Sequence, residues 1–353
     1  MVQPRVRGVL LSMTAAVAIG VDPLGTRFLT GEGGCEFWAF YFWRTLVFST
    51  FVMLWRLCMA GTLRNFIAGV RACGRLLPVL SIVMGAVETL MVLGLANTTI
   101  AKCLLLFSLN PLWAAALSCL LLKEQLKPPT AVALVLSLVS VGVVFIPPAL
   151  STDGAGAEVS TVEGDVCAAL SGISFALYIV VARRVGQRSA GKADVPAAAA
   201  FGGYLAMFIA LGMSGAAVAP PAAVGFDTAR FPVWSFWFAA LVQGLGVGVC
   251  LICLSLAPRL ATGPEVGITM LLQLLLSPLW VWLAFGETLP VWTIVGGLMI
   301  FATLLGHELA LYRWGRAARA DADAPPGAAA RTSHGTAVEV VDVAVEGCKA
   351  EEV

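Results

Sequence analysis

Ten long apolar segments, separated by short polar or turn-rich stretches, constrain this chain more than any other feature of its sequence. Each is close to the roughly 20 residues that an α-helix needs to cross a hydrocarbon core of about 30 Å. Because unpaired backbone amides are costly in lipid, such segments are expected to cross a membrane as helices. The predicted spans are residues 8–29, 37–57, 76–95, 98–122, 131–150, 166–182, 197–219, 233–256, 266–285 and 291–311.

The composition agrees with a lipid environment. Of the 353 residues, 59% are hydrophobic and 12% are charged, whereas soluble domains have about 45–50% and about 25%. The formal net charge of +1 provides no basic excess that would favour nucleic acid as a partner. The 9 cysteines lie mostly in apolar segments and do not form the pattern of a disulfide framework. These features exclude a soluble globular protein and make membrane lipid the expected surroundings.

The basic residues support an even number of spans with both termini in the cytoplasm. Lys and Arg normally concentrate in cytoplasmic loops. With ten spans, Arg27 and Arg230 are the basic residues of the outer loops, and the other basic residues outside the spans and the tail fall in cytoplasmic segments. The apolar run after Arg5 and Arg7 continues too far for a typical signal peptide, so we expect it to remain as the first span.

A Gly-, Ser- and acid-rich stretch at residues 151–165 divides the spans into two sets of five. Since five is odd, the second set would enter the membrane in the opposite orientation, which is the arrangement of an inverted repeat. Asn-Pro-Leu-Trp at 110–113, in the fourth span, is matched by Ser-Pro-Leu-Trp at 277–280 in the ninth. We expect a first five-helix repeat at 1–150, a linker at 151–165, a second five-helix repeat at 166–312 and a disordered cytoplasmic tail at 313–353.

A series of short motifs follows a fixed order along the spans. They are Phe-Trp-Arg at 42–44, Ala-Asn-Thr-Thr-Ile-Ala at 96–101, Asn-Pro-Leu at 110–112, Lys-Glu-Gln-Leu at 123–126, Ala-Leu-Tyr-Ile-Val at 176–180, Pro-Glu-Val at 264–266, Ser-Pro-Leu-Trp at 277–280 and Gly-Glu at 286–287. In this order and spacing the chain resembles the EamA-like branch of the drug/metabolite transporter superfamily, from about residue 8 to residue 306.

The resemblance implies an all-α membrane protein with ten transmembrane helices in two inverted five-helix repeats and with both termini cytoplasmic. It also implies a secondary transporter or exporter of small metabolites, with a central cavity between the halves. Many relatives are acidic in the ninth span where this chain has Gln273. The resemblance therefore does not supply an ion-coupling residue at that position.

Three ionisable side chains lie well inside the predicted spans: Arg44, Glu88 and Lys102. An intramembrane charge costs about 2.5–3.5 kcal/mol on insertion scales, so each is a candidate functional residue. Arg44 either pairs with a carboxylate such as Asp22 or Glu88 and locks helices together, or binds an anionic group of a substrate. Glu88 either takes up a proton or meets a cation, or forms a permanent ion pair with Arg44 or Lys102. Lys102 is near enough to the outer surface to reach water by snorkelling.

Asp22 directly precedes Pro23, whose ring should disturb the first helix. A carboxylate beside a broken helix fits a gate or a substrate contact, and a loop residue beside Arg27 at the outer mouth is the alternative. Neutral amides and tryptophans at depth complete the candidates, with packing between helices as the alternative for each amide. The predicted substrate-binding residues are Arg44, Glu88, Asn97, Lys102, Asn110, Trp113, Gln243, Gln273 and Trp280, and the predicted gate or coupling residues are Asp22 and Glu88.

The sequence favours a secondary active transporter, an exporter or an exchanger, that moves a small polar metabolite by alternating access. No nucleotide-binding motif is present in the sequence, so we expect coupling to an ion, with a proton favoured. One alternative is a non-transporting membrane protein, such as a scramblase or an assembly scaffold, in which the deep charges are static pairs. Another is an exporter of cationic drugs, which requires Glu88 to lack a cationic partner.

The sequence contains no Ser/His/Asp set, phosphate loop or metal-ligand cluster, so we expect neither an enzyme nor a bound cofactor or metal. The expected partners are a small-molecule substrate and membrane lipid. Small-residue faces such as Gly244, Gly246 and Gly248 would also permit a homodimer. The expected location is a plasma membrane or a bacterial inner membrane, with an organelle membrane as the alternative.

Overall fold

The structure, a computed structural model, describes residues 4–22, 25, 28, 34–97, 100–123, 125, 127–150, 161–189, 191–215, 218–285 and 291–322. Helices are the regular elements within these ranges. The chain forms two compact units, Met1–Leu304 and Leu305–Val353. The second is described as helix up to Ala322, and all the sites discussed below lie in the first.

The helices are numbered in chain order. They are α1 (Pro4–Ile19), α2 (Phe37–Ala60), α3 (Leu63–Ala72), α4 (Leu76–Asn97), α5 (Ile100–Phe107), α6 (Asn110–Leu117), α7 (Pro128–Leu150), α8 (Val162–Arg188), α9 (Val195–Met213), α10 (Val233–Leu256), α11 (Gly263–Met270), α12 (Gln273–Phe285) and α13 (Val291–Ala322). A π-helical turn at Ser118–Leu122 extends α6, and short 3₁₀ turns occur at Pro221–Val224 and Ala257–Arg259.

Each of the ten predicted spans overlaps at least one helix. Within the described residues, 7 helical segments are long and apolar enough to cross a membrane: Phe37–Ala60, Leu76–Gly94, Cys103–Leu122, Val162–Arg188, Val195–Met213, Val233–Arg259 and Ile294–Leu311. The other three predicted spans coincide with α1, with α7 and with the pair α11 and α12. The chain is therefore a multi-pass helical membrane protein, and the count of ten crossings stays a prediction.

The first helix is shorter than predicted. α1 ends at Ile19, although the apolar run was expected to be helical from residue 8 to residue 29. A glycine at position 20 and a proline at position 23 both disfavour a continuing helix, so Asp22 follows the end of α1. The neighbouring residues Pro23 and Arg27 lie outside the described residues.

The predicted loop between the second and third spans contains a helix, α3. It begins after Thr62, whose Oγ1 accepts a hydrogen bond from Asn65 N at 3.3 Å, and it ends before Gly74, which has a φ of +58°. A hydroxyl at the start and a left-handed glycine just after the end are common helix boundaries. The sequence does not predict this helix, because its 10 residues are too few to cross a bilayer.

The acidic linker is also shorter than predicted, because α8 begins at Val162 rather than after residue 165. Thr161 Oγ1 accepts from Gly164 N at 3.1 Å and caps the helix. Glu163 and Asp165 occupy the first turn, where negative charge interacts favourably with the helix dipole. Residues 151–160, the remainder of the predicted linker, lie outside the described residues, as does the predicted tail beyond Ala322.

The fourth and ninth predicted spans are both interrupted. The first interruption, at Ser108 and Leu109, immediately precedes the Asn-Pro pair at 110–111, as the missing proline N–H predicts. The second lies at Leu271 and Leu272, less than two helical turns before Pro278, through which α12 continues. Two bonds that tighten the end of α11, from Leu271 N to Ile268 O and from Leu272 N to Thr269 O, both at 3.1 Å, place the break earlier.

The two interrupted spans pack against each other. A Cβ built on Gly267 of α11 would lie 3.0 Å from Pro111 Cα, and one built on Gly263 would lie 2.7 Å from Ser118 Oγ. Because Gly267 faces the start of α6 and Gly263 faces its end, the two helices run antiparallel. Leu271, beside the second break, shares one apolar cluster with Leu104, which precedes the first. The breaks therefore lie on the same side of the first unit.

Helices from the two parts of the chain pack closely through small residues. Gly202 and Gly203 of α9 face α4 and α2 respectively: a Cβ on Gly202 would lie 2.6 Å from Met84 Cβ, and one on Gly203 would overlap Phe48 and Ser49. In membranes such small residues allow helix backbones to approach and gain van der Waals contact. This packing holds α2, the helix that carries Arg44, against the second half of the chain.

Candidate functional site

Arg44 lies between two carboxylates within the first unit. Its Nε donates to Asp22 Oδ1 at 2.8 Å and its Nη2 to Asp22 Oδ2 at 3.3 Å. Its Nη1 donates to Glu88 Oε2 at 2.7 Å. A guanidinium is suited to this arrangement because its rigid fork presents several donors at once. The segment after α1, α2 and α4 thus meet at one ion-paired cluster, Asp22–Arg44–Glu88.

The cluster is shielded from solvent. Arg44 and Glu88 are each 8% exposed, and the Asp22 side chain is 25% exposed. The Arg44 guanidinium carbon also lies 5.9 Å from the ring centre of Tyr41 and 6.0 Å from that of Phe48, distances at which an aromatic face attracts a cation. In such surroundings, losing one partner leaves a charge that is costly to keep buried.

Gln243 brings α10 into the same cluster. Its Nε2 donates to the main-chain oxygen of Asp22 at 2.8 Å and to Asp22 Oδ1 at 2.7 Å. A Cβ on Gly25 would lie 2.8 Å from Gln243 Oε1, so the backbone beside Asp22 approaches this amide closely. Gln243 thus connects the second half of the chain to Asp22.

Two further predicted residues lie near the ends of the same elements. A Cβ on Gly20, at the end of α1, would lie 3.2 Å from both Cδ1 and Nε1 of Trp280, so this tryptophan packs beside the segment that leads to Asp22. Asn110 is fully buried at the first helix break, where its Nδ2 donates to Phe107 O at 3.0 Å. Asn110 Oδ1 is buried and has no hydrogen-bond partner within the described residues.

The remaining predicted residues are not brought to the cluster by a described contact. Asn97 ends α4, where its Nδ2 donates to Leu93 O at 2.9 Å and its carbonyl accepts from Thr161 Oγ1 at 2.9 Å. Trp113 is 36% exposed. Gln273 is half-buried at the start of α12, and the side chain of Lys102 lies outside the described residues. The roles predicted for these residues stay predictions.

The sequence prediction missed a second ion pair, between Arg56 of α2 and Asp194 at the start of α9. Arg56 Nε lies 2.7 Å from Asp194 Oδ1, and its Nη2 lies 2.7 Å from Oδ2. Asp194 Oδ1 also accepts from Ala197 N at 3.2 Å and caps α9, while Asp194 N donates to Gly69 O at 3.0 Å. The Asp-Val-Pro sequence at 194–196, an acceptor followed by an early proline, was the available signal.

Other arginines hold neighbouring turns of the same unit. Arg5 Nε donates to Glu265 Oε1 at 3.1 Å, and Arg259 Nη2 donates to Ala193 O at 2.7 Å. Arg183 donates to the carbonyls of Pro258 and Ala261. Contacts of this kind have no signature in the sequence. Arg5 joins the start of α1 to the second half of the chain, and Arg183 and Arg259 hold turns within that half.

The described residues contain no group of three or more His, Cys, Asp or Glu side chains that could hold a metal ion. The described features, namely apolar helices with ion pairs buried between them, define a multi-pass membrane protein. Residues 6–146 match the model of the EamA-like transporter family, which confirms the resemblance inferred from the motifs. Over these residues, which are fewer than half of the chain, the protein is similar to that family of membrane transporters.

The fold similarity covers more of the chain than the family match does. A crystal structure of another protein has 18% sequence identity and a TM-score of 0.65, and the match covers 87% of this chain and 98% of that one. At this identity the similarity concerns the fold alone. A comparison with curated proteins gives no match.

Proposed function

We propose that this protein is a secondary active transporter that moves a small polar metabolite across a membrane by alternating access. The observation that carries the proposal is the ion-paired cluster Asp22–Arg44–Glu88, which is buried among membrane helices and linked by Gln243 to the other half of the chain. Ionisable groups are rare inside a membrane and commonly mark a substrate or ion pathway. The family match over residues 6–146 supports a transport role.

In the proposed mechanism the two halves rock against each other about this cluster. α10 carries Gln243, which donates to Asp22, so a movement of α10 changes the position of the Asp22 carboxylate. The interrupted spans α5–α6 and α11–α12 supply elements that can bend at their breaks. Broken helices near the middle of a membrane are a common feature of transporter binding sites.

Proton coupling is proposed to act through Glu88. As a carboxylate it accepts a hydrogen bond from Arg44 Nη1. Protonation would remove its charge and weaken this contact, which would leave that arm of the guanidinium available for an anionic group of the substrate. Deprotonation would restore the pair and favour release. This cycle couples the binding of one proton to the binding of one anionic group.

A second candidate, a non-transporting protein with static charge pairs, is favoured by one observation: the described cluster is closed and mostly buried. A transporter in an occluded state is expected to have the same geometry. A measurement of transport therefore distinguishes the two candidate functions. An exporter of cationic drugs has less support, because Glu88 is paired with Arg44 rather than available to a cation.

The test uses the full chain, purified and reconstituted in proteoliposomes. Amino acids and small organic acids are first screened for thermal stabilisation, since a ligand that prefers the native form raises its apparent stability. Stabilising compounds are then supplied as radiolabelled solutes in a counterflow assay. We expect uptake by the natural protein, loss of uptake in Arg44→Gln and Glu88→Gln, and unchanged uptake in the control Arg188→Gln, which alters an exposed residue. Uptake that is unchanged in Arg44→Gln would overturn the assignment of the site, and folded protein without counterflow would favour the static pairs.

A further inference from the structure

The short helix α3 lies between two membrane-spanning segments and outside both of them. One face of it is held by the protein. Phe66 is buried, Gly69 O accepts the hydrogen bond from Asp194 N at 3.0 Å, and a Cβ on Gly69 would lie 3.2 Å from Asp194 Cβ. Cys73 is buried just beyond the end of the helix. The orientation of α3 about its own axis is therefore set by the body of the protein.

A second face of α3 is apolar and exposed. Leu63 is 65% exposed and Ile67 is 39% exposed, and Val70 beside them is half-buried. At about 100° per residue these positions lie on one stripe, roughly 90° around the helix from the face formed by Phe66 and Gly69. A helix that is fixed to the protein and still presents a Leu and an Ile on an unpartnered side requires apolar surroundings there.

A third face is basic. Arg64 and Arg71 project about 90° further around the helix from the apolar stripe, and Arg75 follows at the next turn. All three are exposed, and none of their guanidinium groups forms a hydrogen bond or an ion pair with another described residue. The apolar and basic faces of α3 are thus adjacent, and both are available to a partner outside the protein.

We propose that α3 is an interfacial helix that binds anionic glycerophospholipids of the membrane leaflet at its end of the protein. An amphipathic helix that lies at the membrane interface places its apolar face against the acyl chains and its cations among the headgroups. Arg64, Arg71 and Arg75 match the charge of anionic phosphates, and Leu63 and Ile67 match acyl chains. A soluble protein partner would have no need of an apolar stripe that lies beside the membrane-spanning helices.

Lipid selectivity provides the first test. The full chain is extracted in detergent, mixed with equal amounts of phosphatidylglycerol and phosphatidylcholine, and analysed by native mass spectrometry. The natural protein should retain phosphatidylglycerol in preference, and the variant Arg64→Gln/Arg71→Gln/Arg75→Gln should lower the ratio of the two lipids by roughly tenfold or more. The charge-matched control Arg7→Gln/Arg188→Gln/Lys192→Gln removes three exposed cations outside α3 and should keep the ratio. Equal ratios in the natural protein and the α3 variant, or an equal fall in the control, would overturn the proposal.

Depth in the membrane provides a second test that does not depend on removing charge. Ile67→Trp places an indole on the apolar stripe, and Ala72→Trp places one on an exposed position far around the same helix. The natural protein has 10 tryptophans, so its fluorescence is measured in parallel and subtracted. In proteoliposomes with lipids brominated on the acyl chain near the glycerol, the fluorescence added by Ile67→Trp should be quenched more strongly than that added by Ala72→Trp. Equal quenching at the two positions would show that the stripe does not face the acyl boundary, and the proposal would fail.

Discussion

Arg44 of α2 and Glu88 of α4 form an ion pair, with Nη1 and Oε2 separated by 2.7 Å, and neither residue is more than 8% exposed. The pair joins two helices of the first half of the chain, and the second carboxylate, Asp22, binds the other side of the same guanidinium. One cation thus fixes the relative positions of three segments.

The first prediction concerns the cost of breaking this cluster. Arg44→Gln leaves the buried Glu88 and the partly buried Asp22 without their cation, and we expect it to lower the free energy of unfolding by about 3–5 kcal/mol. The double variant Arg44→Gln/Glu88→Gln removes one of the stranded charges and should recover part of the thermal stability, but not transport. Melting temperature in detergent and counterflow in proteoliposomes measure the two effects. Full stability in the single variant would contradict the pairing.

Gln243 provides a prediction about coupling between the halves. Gln243→Leu keeps a similar volume but removes both hydrogen bonds to Asp22, with an expected destabilisation of about 1–3 kcal/mol. If the amide transmits movement of α10, the rate of transport should fall more than the affinity for substrate. Gln187→Leu is the comparison, because Gln187 is exposed near the end of α8 and belongs to no predicted site. Equal kinetic effects of the two variants would argue against this role for Gln243.

The contact between α9 and α2 gives a prediction with a control in the same helix. A Cβ on Gly203 would overlap Phe48 and Ser49, whereas one on Gly212 meets no heavy atom within 4 Å. Gly203→Ala should therefore cost about 1–3 kcal/mol or more through overpacking. Gly212→Ala should be neutral or slightly stabilising, because alanine favours a helix. Similar melting temperatures for the two variants would contradict the close approach of these helices.

The pair formed by Arg56 and Asp194 gives a further prediction. The Asp194 side chain has no exposed surface, so Arg56→Gln should destabilise the protein by about 3–5 kcal/mol. Arg56→Lys keeps the charge but loses the two-pronged contact and should have an intermediate effect. Asp194→Asn in the Arg56→Gln background keeps a helix-capping oxygen and should restore part of the loss. Additive losses in this double variant, measured by thermal unfolding, would count against a direct pair.

Cys35, just before α2, yields a prediction about pH. Burial, together with the neighbouring negative charge of Glu36, raises the pKa of the Cys35 thiol to about 11. Only the thiolate reacts with maleimide, so labelling should be slow at pH 7 and should accelerate about tenfold per pH unit up to that pKa. Glu36→Gln should lower the pKa and speed the reaction.

Exposed Cys58 supplies the internal reference for this measurement. Its labelling is read by peptide mass spectrometry in the same sample, so that differences in reagent or exposure time cancel. Cys35 labelled as rapidly as Cys58 at pH 7 would contradict its burial.

The sequence allowed the helical membrane class and part of the cluster to be predicted. Long apolar runs leave few alternatives to helices in lipid. A deep arginine favours a nearby anion, so a carboxylate such as Asp22 or Glu88 was predicted as one partner for Arg44, with an anionic substrate group as the alternative. In the structure both carboxylates contact Arg44. The periodicity of the sequence does not determine the angles between helices. The contact of Arg44 with both carboxylates at once could therefore not be predicted.

Other features depend on contacts that are distant in sequence or on short elements. Gln243 bonds a residue 221 positions away, and a lone amide in an apolar run indicates no particular partner. α3 is too short to be recognised as a membrane span. The break at Leu271 and Leu272 contains neither Gly nor Pro, and α11, which precedes it, packs against α6, a contact that is distant in sequence.

Asp194 combines three contacts in one side chain and its amide: it caps α9, binds Arg56 and donates to Gly69. Because one residue makes all three contacts, few substitutions at position 194 should be tolerated. Among homologous sequences, positions 56 and 194 should therefore covary or stay fixed. A missense change at 194 would then act mainly by reducing how much protein reaches the membrane, rather than by altering which solute it carries.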